Sequence, residues 1–195
     1  MRTFIEHARS FPARAAAQGD RLHRHADGQN PFALFITCSD SRVVPSLITG
    51  ARPGELFELR TAGGIVPVYD LERPTGEAAT IEFAVRSLGV ADIVVCGHSQ
   101  CAAVGALVRG DDLPDVPAMG TWLSHAAEPS VQAEDGDLSL AVQRHVLAQI
   151  DRLRSYPAVR ERLDEGGLGV HGWFYEVHTG RVLTHGASRD TFLPL

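Results

Sequence analysis

The chain has 195 residues, 44% of them apolar and 22% charged, with a formal net charge of −6, which suits one globular domain with a sizeable core. The acidic balance and the lack of a basic stripe argue against nucleic acid as a partner. All eighteen basic residues are Arg, which excludes Schiff-base and other Lys-centred mechanisms. No apolar run approaches the ~20 residues that cross a bilayer, so no membrane insertion is expected. The first residues, MRTFIEHARSF, lack an apolar segment followed by a small-residue cleavage site. Three widely spaced Cys fit reduced thiols in a cytoplasmic protein better than a disulfide framework.

In chain order, Phe4, Ile5, Ala8 and Phe11 recur at helical spacing and predict a helix over residues 2–18, weakened at Pro12. A polar, turn-rich stretch follows at 23–31. FALFIT, 32–37, is a short apolar run that reads as a buried strand. A short helix is expected to follow through Ser46. RPG, 52–54, is a turn, ELFELR, 55–60, a second strand, and TAGGIVP a glycine loop. Thr75–Leu88 reads as an amphipathic helix with Ala79, Phe83 and Leu88 inward. DIVVCGH, 92–98, is a third strand, and a helix is expected from Ser99 to Gly110. Residues 111–137 read as a loop with a short helix around Met119–Ala127. Leu138–Ser155 is a long helix, and Pro157–Leu163 begins another with Pro in its first turn. GVHGWFYEV and RVLTHG predict a final hairpin. Strands that alternate with helices give an α/β fold with a mainly parallel sheet.

Two strand–turn–helix units carry the chemistry. One ends in Cys38-Ser-Asp40-Ser-Arg42, the other in Gly97-His98-Ser-Gln-Cys101. Ligands of open parallel sheets bind beyond the carboxyl ends of strands where the strand order reverses. If these strands are neighbours, Cys38, Asp40, His98 and Cys101 converge, with His98 and Cys101 sharing a face at the start of a helix. Two thiolates and one imidazole make a zinc ligand set with an open fourth position, as catalytic zinc sites have. Asp40 could fill that position, or be held back by a two-pronged hydrogen bond from Arg42. Taken singly, a Cys after a strand is usually a small core residue, HxxC is a weak pattern, and CxDxR is explained by an ion pair. Together they supply a complete ligand set at one end of a sheet. Cys96, inside its strand, reads as core. His171, His178 and His185 read as surface or core residues and not as ligands.

CSDSR at 38–42 and HSQC at 98–101 resemble the β-class carbonic anhydrases. So do GQNPFALFITCSDSRVVPSLI, PGELFELRTAGGIVP, GEAATIEFAV, IVVCGHSQCAAVGAL and VRERLDEGGLGVHGWFYEVHTGRV, in family order over roughly residues 25–185. The resemblance, to plant-like members above all, implies four parallel strands plus one antiparallel edge strand, flanked by helices. It implies a helical arm at 1–28 before a single zinc-binding catalytic domain at 29–195. It also implies a homodimer or a dimer of dimers, with the N-terminal helix lying on the partner. By the match, one Zn2+ per chain is held by Cys38, His98 and Cys101, and Asp40 and Arg42 are the catalytic dyad, with Asp40 the alternative fourth ligand. Gln29, nine residues before Cys38, donates a hydrogen bond to substrate. Phe57 lines an apolar CO2 pocket, Phe83 stands near it where many members have Tyr, and Ala102 replaces a Gly at the site. The implied reaction is reversible hydration of CO2 to bicarbonate and a proton by a zinc-bound hydroxide. A carbon disulfide or carbonyl sulfide hydrolase on the same scaffold and a non-catalytic zinc module are the alternatives.

Overall fold

The computed structural model describes residues 1–19, 22–126, 137–186 and 190–195. The chain divides into two compact units, Met1–Asn30 and Pro31–Leu195. The first contains α1 (Arg2–Ala17), which runs through Pro12, and a 3-10 turn at Leu22–His25.

The second unit is built on a six-stranded sheet. Its strands are β1 (Ala33–Cys38), β2 (Leu56–Thr61), β3 (Asp92–His98), β4 (Gly169–Tyr175), β5 (Val182–Gly186) and β6 (Thr191–Pro194). They lie in the order β2-β1-β3-β4-β5-β6. The first four are parallel, and β5 and β6 join antiparallel. The edge therefore carries one antiparallel strand more than the expected hairpin. The α/β class and the predominantly parallel sheet are as the sequence predicts.

Strand order reverses at β1. The chain leaves β1 to form β2 on one side, then returns to form β3 on the other, which opens a crevice beyond the carboxyl ends of β1 and β3. Alternation assigns the two faces of the sheet. Leu34, Ile36, Ile93 and Val95 join a cluster with Ile81, Val85, Val146, Ile150 and Leu153. Phe35, Val94 and Cys96 form a separate cluster with Trp173 and Tyr175.

The helices of this unit are α2 (Pro45–Thr49), α3 (Gly76–Glu82), α4 (Ala102–Arg109), α5 (Pro117–Ser124), α6 (Leu138–Arg154) and α7 (Pro157–Asp164). Asp137 caps α6 by accepting from the Ser139 and Leu140 N–H groups, as N-cap carboxylates do. This helix lies directly on β3. A Cβ at Gly97 would come within 2.6 Å of Val142 and 2.7 Å of Val146, so the missing side chain is what permits the approach.

Local expectations shift in several places. The short helix after β1 begins at Pro45 rather than ending at Ser46, because Ser39–Val44 is committed to the site described below. The Thr75–Leu88 helix is α-helical only to Glu82 and continues as a π turn over Phe83–Ser87. Its buried face is Ala78, Ile81, Ala84 and Val85, so Ala79 is exposed and Phe83 is 46% exposed. Both stand opposite the buried stripe, whose spacing of three and four residues runs on to Leu88, packed against the core, so the inward expectation holds for Leu88 and fails for Ala79 and Phe83. The helix expected around Met119–Ala127 is α5; Ala127 lies outside the described residues.

Candidate metal centre

Cys38 and His98 are the last residues of two adjacent parallel strands. The β1–β3 register ends with Thr37 level with Cys96, which brings Cys38 alongside the end of β3. After His98 the chain turns tightly. The Ser99 N–H donates to the Tyr175 carbonyl at 2.9 Å, and the Ser99 hydroxyl accepts from the Val177 N–H at 3.0 Å. Gln100 then takes φ +57, a conformation that costs a non-Gly residue about 1–3 kcal/mol. Cys101 is the residue that caps α4. Ser99 and Gln100 are thus outside the helix expected to open at Ser99, and His98 and Cys101 meet through a strained turn rather than along a helical face.

The potential ligand atoms of Cys38, His98 and Cys101 all lie within 4.8 Å of one another, and all three residues are buried. His98 Nδ1 sits 3.0 Å from the Ser99 carbonyl, so the proton is on Nδ1 and the lone pair on Nε2. Nε2 is buried and lacks a hydrogen-bond partner, which is costly unless something else binds it. The thiols complete the case. Cys38 is pulled down to about 4 by its hydrogen bond to Cys101, against burial, with help from His98 and the Gly63 N–H. Cys101 is pushed up by the same partnership and by burial, although the Ala103 and Val104 N–H groups at the head of α4 oppose this. One thiolate forms readily beside a thiol that holds its proton, and a dication supplies what both need to ionise. The donor set, soft sulfur with one imidazole, fits zinc.

Asp40 stands next to this group. Arg42 grips it with Nε to Oδ1 at 2.9 Å and Nη2 to Oδ2 at 2.7 Å, and the Arg42 N–H adds a bond to Oδ1 at 2.9 Å. This keeps the carboxyl well below the usual carboxylate range. Arg42 also reaches the Gln100 carbonyl at 3.3 Å, which ties the two halves of the centre together.

Two contributors were not anticipated. Arg60 Nη2 donates to the carbonyls of Cys38 (3.2 Å), Asp40 (2.8 Å) and Val43 (2.8 Å), so one guanidinium fixes the backbone that carries both ligand and dyad. Pairing β2 with β1 would have found it, since Arg60 lies level with Thr37. Gly63 donates its N–H to Cys38 Sγ at 3.3 Å from a backbone at φ +76, where a Cβ would also press on Ala103 at 3.2 Å.

The remaining predicted residues are more spread. Phe57 is partly buried against the main core with its ring 6.0 Å from that of Phe83. Ala102 is the exposed first residue of α4. Gln29 belongs to the first compact unit. Cys96 is buried in β3, its thiol pushed up to about 12 by burial. His171 and His185 pair with Asp92 and Asp190 at 2.7 and 3.0 Å. Among the described residues, neither belongs to a cluster with metal-ligand spacing.

The sequence model of the carbonic anhydrase family matches residues 33–182. The chain belongs to the β-class carbonic anhydrases. A carbonic anhydrase of Pseudomonas aeruginosa is 44% identical over 188 residues, covering 92% of this chain and 83% of its own. The solved structure of the β-carbonic anhydrase CcaA superposes with a TM-score of 0.91 at 36% identity, covering 100% of this chain and 99% of that one. A β-carbonic anhydrase from the ascomycete Sordaria macrospora, described as tetrameric, gives a TM-score of 0.79 at 32% identity, with 96% and 98% covered. β-Carbonic anhydrases use zinc, and Cys38, His98 and Cys101 are placed to bind it. The activity is reversible hydration of CO2, and neither sulfur-substrate hydrolysis nor a non-catalytic module is favoured.

Proposed function

We propose that Cys38, His98 and Cys101 would hold the zinc of this carbonic anhydrase, with Asp40 outside the ligand set, and that Asp40 and Arg42 direct the attacking water toward CO2. One observation carries the reading. Both oxygens of Asp40 are occupied by Arg42, while the buried Nε2 of His98 beside it has no partner.

When bound, zinc lowers the pKa of water from 15.7 towards ~7 in favourable sites. Asp40, ionised by its contact with Arg42, accepts a hydrogen bond from the attacking oxygen and turns a lone pair of that oxygen toward substrate. Arg42 keeps Asp40 off the metal and fixed in angle. Phe57 is level with Leu34, four residues along β1 from Cys38, so in a homodimer it and the neighbouring Phe83 offer an apolar wall to CO2 at the centre of the second copy, where Gln29 donates to a substrate oxygen, while Ala102 borders the centre of its own chain. Residues 1–28 act as an arm and 29–195 as the catalytic domain.

The Asp40–Arg42 pairing, together with Gln29 nine residues before Cys38, supports the plant-like arrangement. We place the enzyme in the cytoplasm, consistent with three unpaired Cys; no helix among the described residues is long and apolar enough to cross a membrane. A homodimer or a dimer of dimers is supported by the tetrameric relative and by apolar side chains left exposed, among them Phe83, Leu47 and Leu71.

Stopped-flow CO2 hydration on a sample of measured zinc content tests the reading. One zinc per chain and activity already present at about pH 7 is the expected result. Activity absent at about pH 7 and gained steeply above about pH 8 would instead place Asp40 on the metal.

A further inference from the structure

The peptide unit joining Ala62 to Gly63 is hydrogen-bonded at both ends. Its N–H donates to Cys38 Sγ at 3.3 Å. Its carbonyl, that of Ala62, accepts from the Trp122 indole N–H of α5 at 2.9 Å. The next carbonyl, of Gly63, lies 2.9 Å from His145 Nε2 of α6. The tautomer of His145 follows from its neighbours. The Val66 N–H donates to Gln149 Oε1 at 2.9 Å, which turns the Gln149 amide nitrogen toward His145 Nδ1, 3.5 Å away. Nδ1 is then the acceptor, so Nε2 carries the proton and donates it to Gly63. His145 and Gln149 are buried, and α6 thereby grips the glycine turn from below.

We propose that Trp122 and His145 are positioning residues for the metal centre, which hold the Ala62–Gly64 turn so that the Gly63 N–H points at Cys38 Sγ and, through Trp122, polarise that N–H. The proposal rests on the reading of Cys38 as a zinc ligand. Two thiolates cancel the formal charge of a dication and make it a weak Lewis acid. An N–H···S hydrogen bond withdraws charge from one sulfur and returns acidity to the metal, the tuning that partners of metal ligands commonly perform. The indole N–H, the Ala62 carbonyl, the Gly63 N–H and the thiolate form a chain of donors and acceptors in series, and such chains strengthen each member by roughly 10–30%. Gly63 suits this place: at φ +76, with Ala103 3.2 Å from any Cβ, a side chain would swing the N–H away from sulfur.

The test uses full-length protein loaded with cobalt(II) in place of zinc, whose sulfur-to-metal charge-transfer band reports thiolate charge independently of turnover. Trp122→Phe keeps an aromatic ring and removes the donor. The expected result is one cobalt per chain, a charge-transfer band moved to longer wavelength, and zinc-enzyme activity about 10- to 100-fold lower at neutral pH, with the loss narrowing as pH rises. His145→Leu should move the band the same way, and His145→Gln, which keeps a donor, should restore it. A band unmoved in every variant that binds cobalt overturns the proposal, and so does failure of both Trp122→Phe and His145→Leu to fold, which would assign the network to stability alone. Loss of cobalt with the circular dichroism retained supports it. Absence of the band from the unmodified protein would instead show that Cys38 and Cys101 are not the ligands.

Discussion

Asp40 Oδ2 and His98 Nε2 face each other across 3.9 Å with no hydrogen bond between them. Both are acceptors: the carboxylate has no proton, and the imidazole proton is committed on Nδ1 to the Ser99 carbonyl. Two acceptors held this close, one of them fully buried, each call for an electropositive partner on their shared side. Metal on Nε2 and water between metal and carboxylate would satisfy both.

Asp40→Asn keeps the size of the side chain and removes its charge, so it separates aiming from binding. The amide can still touch Arg42 through its oxygen, but it loses the bidentate grip and can present an N–H to the attacking oxygen. Zinc should stay at one per chain, and kcat/KM for CO2 hydration should fall about 10²- to 10⁴-fold, the range for a positioned proton acceptor. Zinc lost with the activity would mean that Asp40 is a ligand in the resting enzyme.

Cys38→Ser should lose both zinc and activity, because a serine hydroxyl is a poor substitute for a thiolate on this metal. The informative control is Cys96→Ala. Cys96 is 2% exposed, and its high thiol pKa marks a residue that packs and does not ligate. That variant should keep its zinc and show only a modest decrease in urea midpoint. Metal analysis of the two purified proteins decides the matter.

Arg60 is expected to matter for stability as well as rate. Its guanidinium satisfies three carbonyls at the loop that follows β1, and hydrogen bonds to charged groups contribute about 1.5–3 kcal/mol each. Arg60→Met keeps much of the apolar stem and abandons the carbonyls. Equilibrium unfolding in urea should show a loss of about 2–4 kcal/mol, reduced to the extent that water reaches the loop. A near-zero change would show that the Ser39–Val44 backbone is held by Arg42 and Asp40 alone.

How far the sequence anticipates this centre depends on the kind of contact. Cys38 and His98 are legible because each ends an apolar run at the ligand-binding end of a parallel sheet, and Cys101 because it follows His98 at a three-residue spacing. DIVVCGH matches β3 residue for residue because a short, continuous apolar run bounded by turns is what a strand buried on both faces requires. Arg60, Trp122 and His145 were not legible. They act on backbone carbonyls, and any polar side chain can do that; their partners are set by the strand register and by where α5 and α6 come to rest. The inward assignment of Ala79 and Phe83 fails because the buried stripe runs through Ala78, Ile81 and Val85 instead, on the other side of the helix; with small Ala residues on both sides, apolar spacing alone does not choose between the two faces. The helix expected at Ser99 begins only at Ala102, because Ser99 is bonded to the β4 end through Tyr175 and Val177 and Gln100 takes a positive φ that local propensity opposes. Such conflict between local preference and final structure is commonest where a site is being built.

His145 gives a pH signature that can be read without activity. Burial holds its imidazole down at about 4, from an ordinary value of 6.5. In the unfolded chain the ring takes up a proton near pH 6.5, while the folded protein refuses it until about pH 4. Between those values the unfolded state binds more protons, so stability rises with pH. The neutral ring's contribution is therefore fully present above pH 6.5 and is lost as the pH falls toward about 4. Each unit within that window corresponds to about 1.4 kcal/mol. Taking the parent protein and His145→Gln through urea unfolding at about pH 7 and about pH 5.5 should show the parent losing roughly 1 kcal/mol more than the variant over that step. Metal release in acid acts on both proteins and cancels in the difference. Equal losses would mean that His145 is protonated in the folded state, and the donor it presents to Gly63 would then no longer be fixed by the tautomer that Gln149 selects.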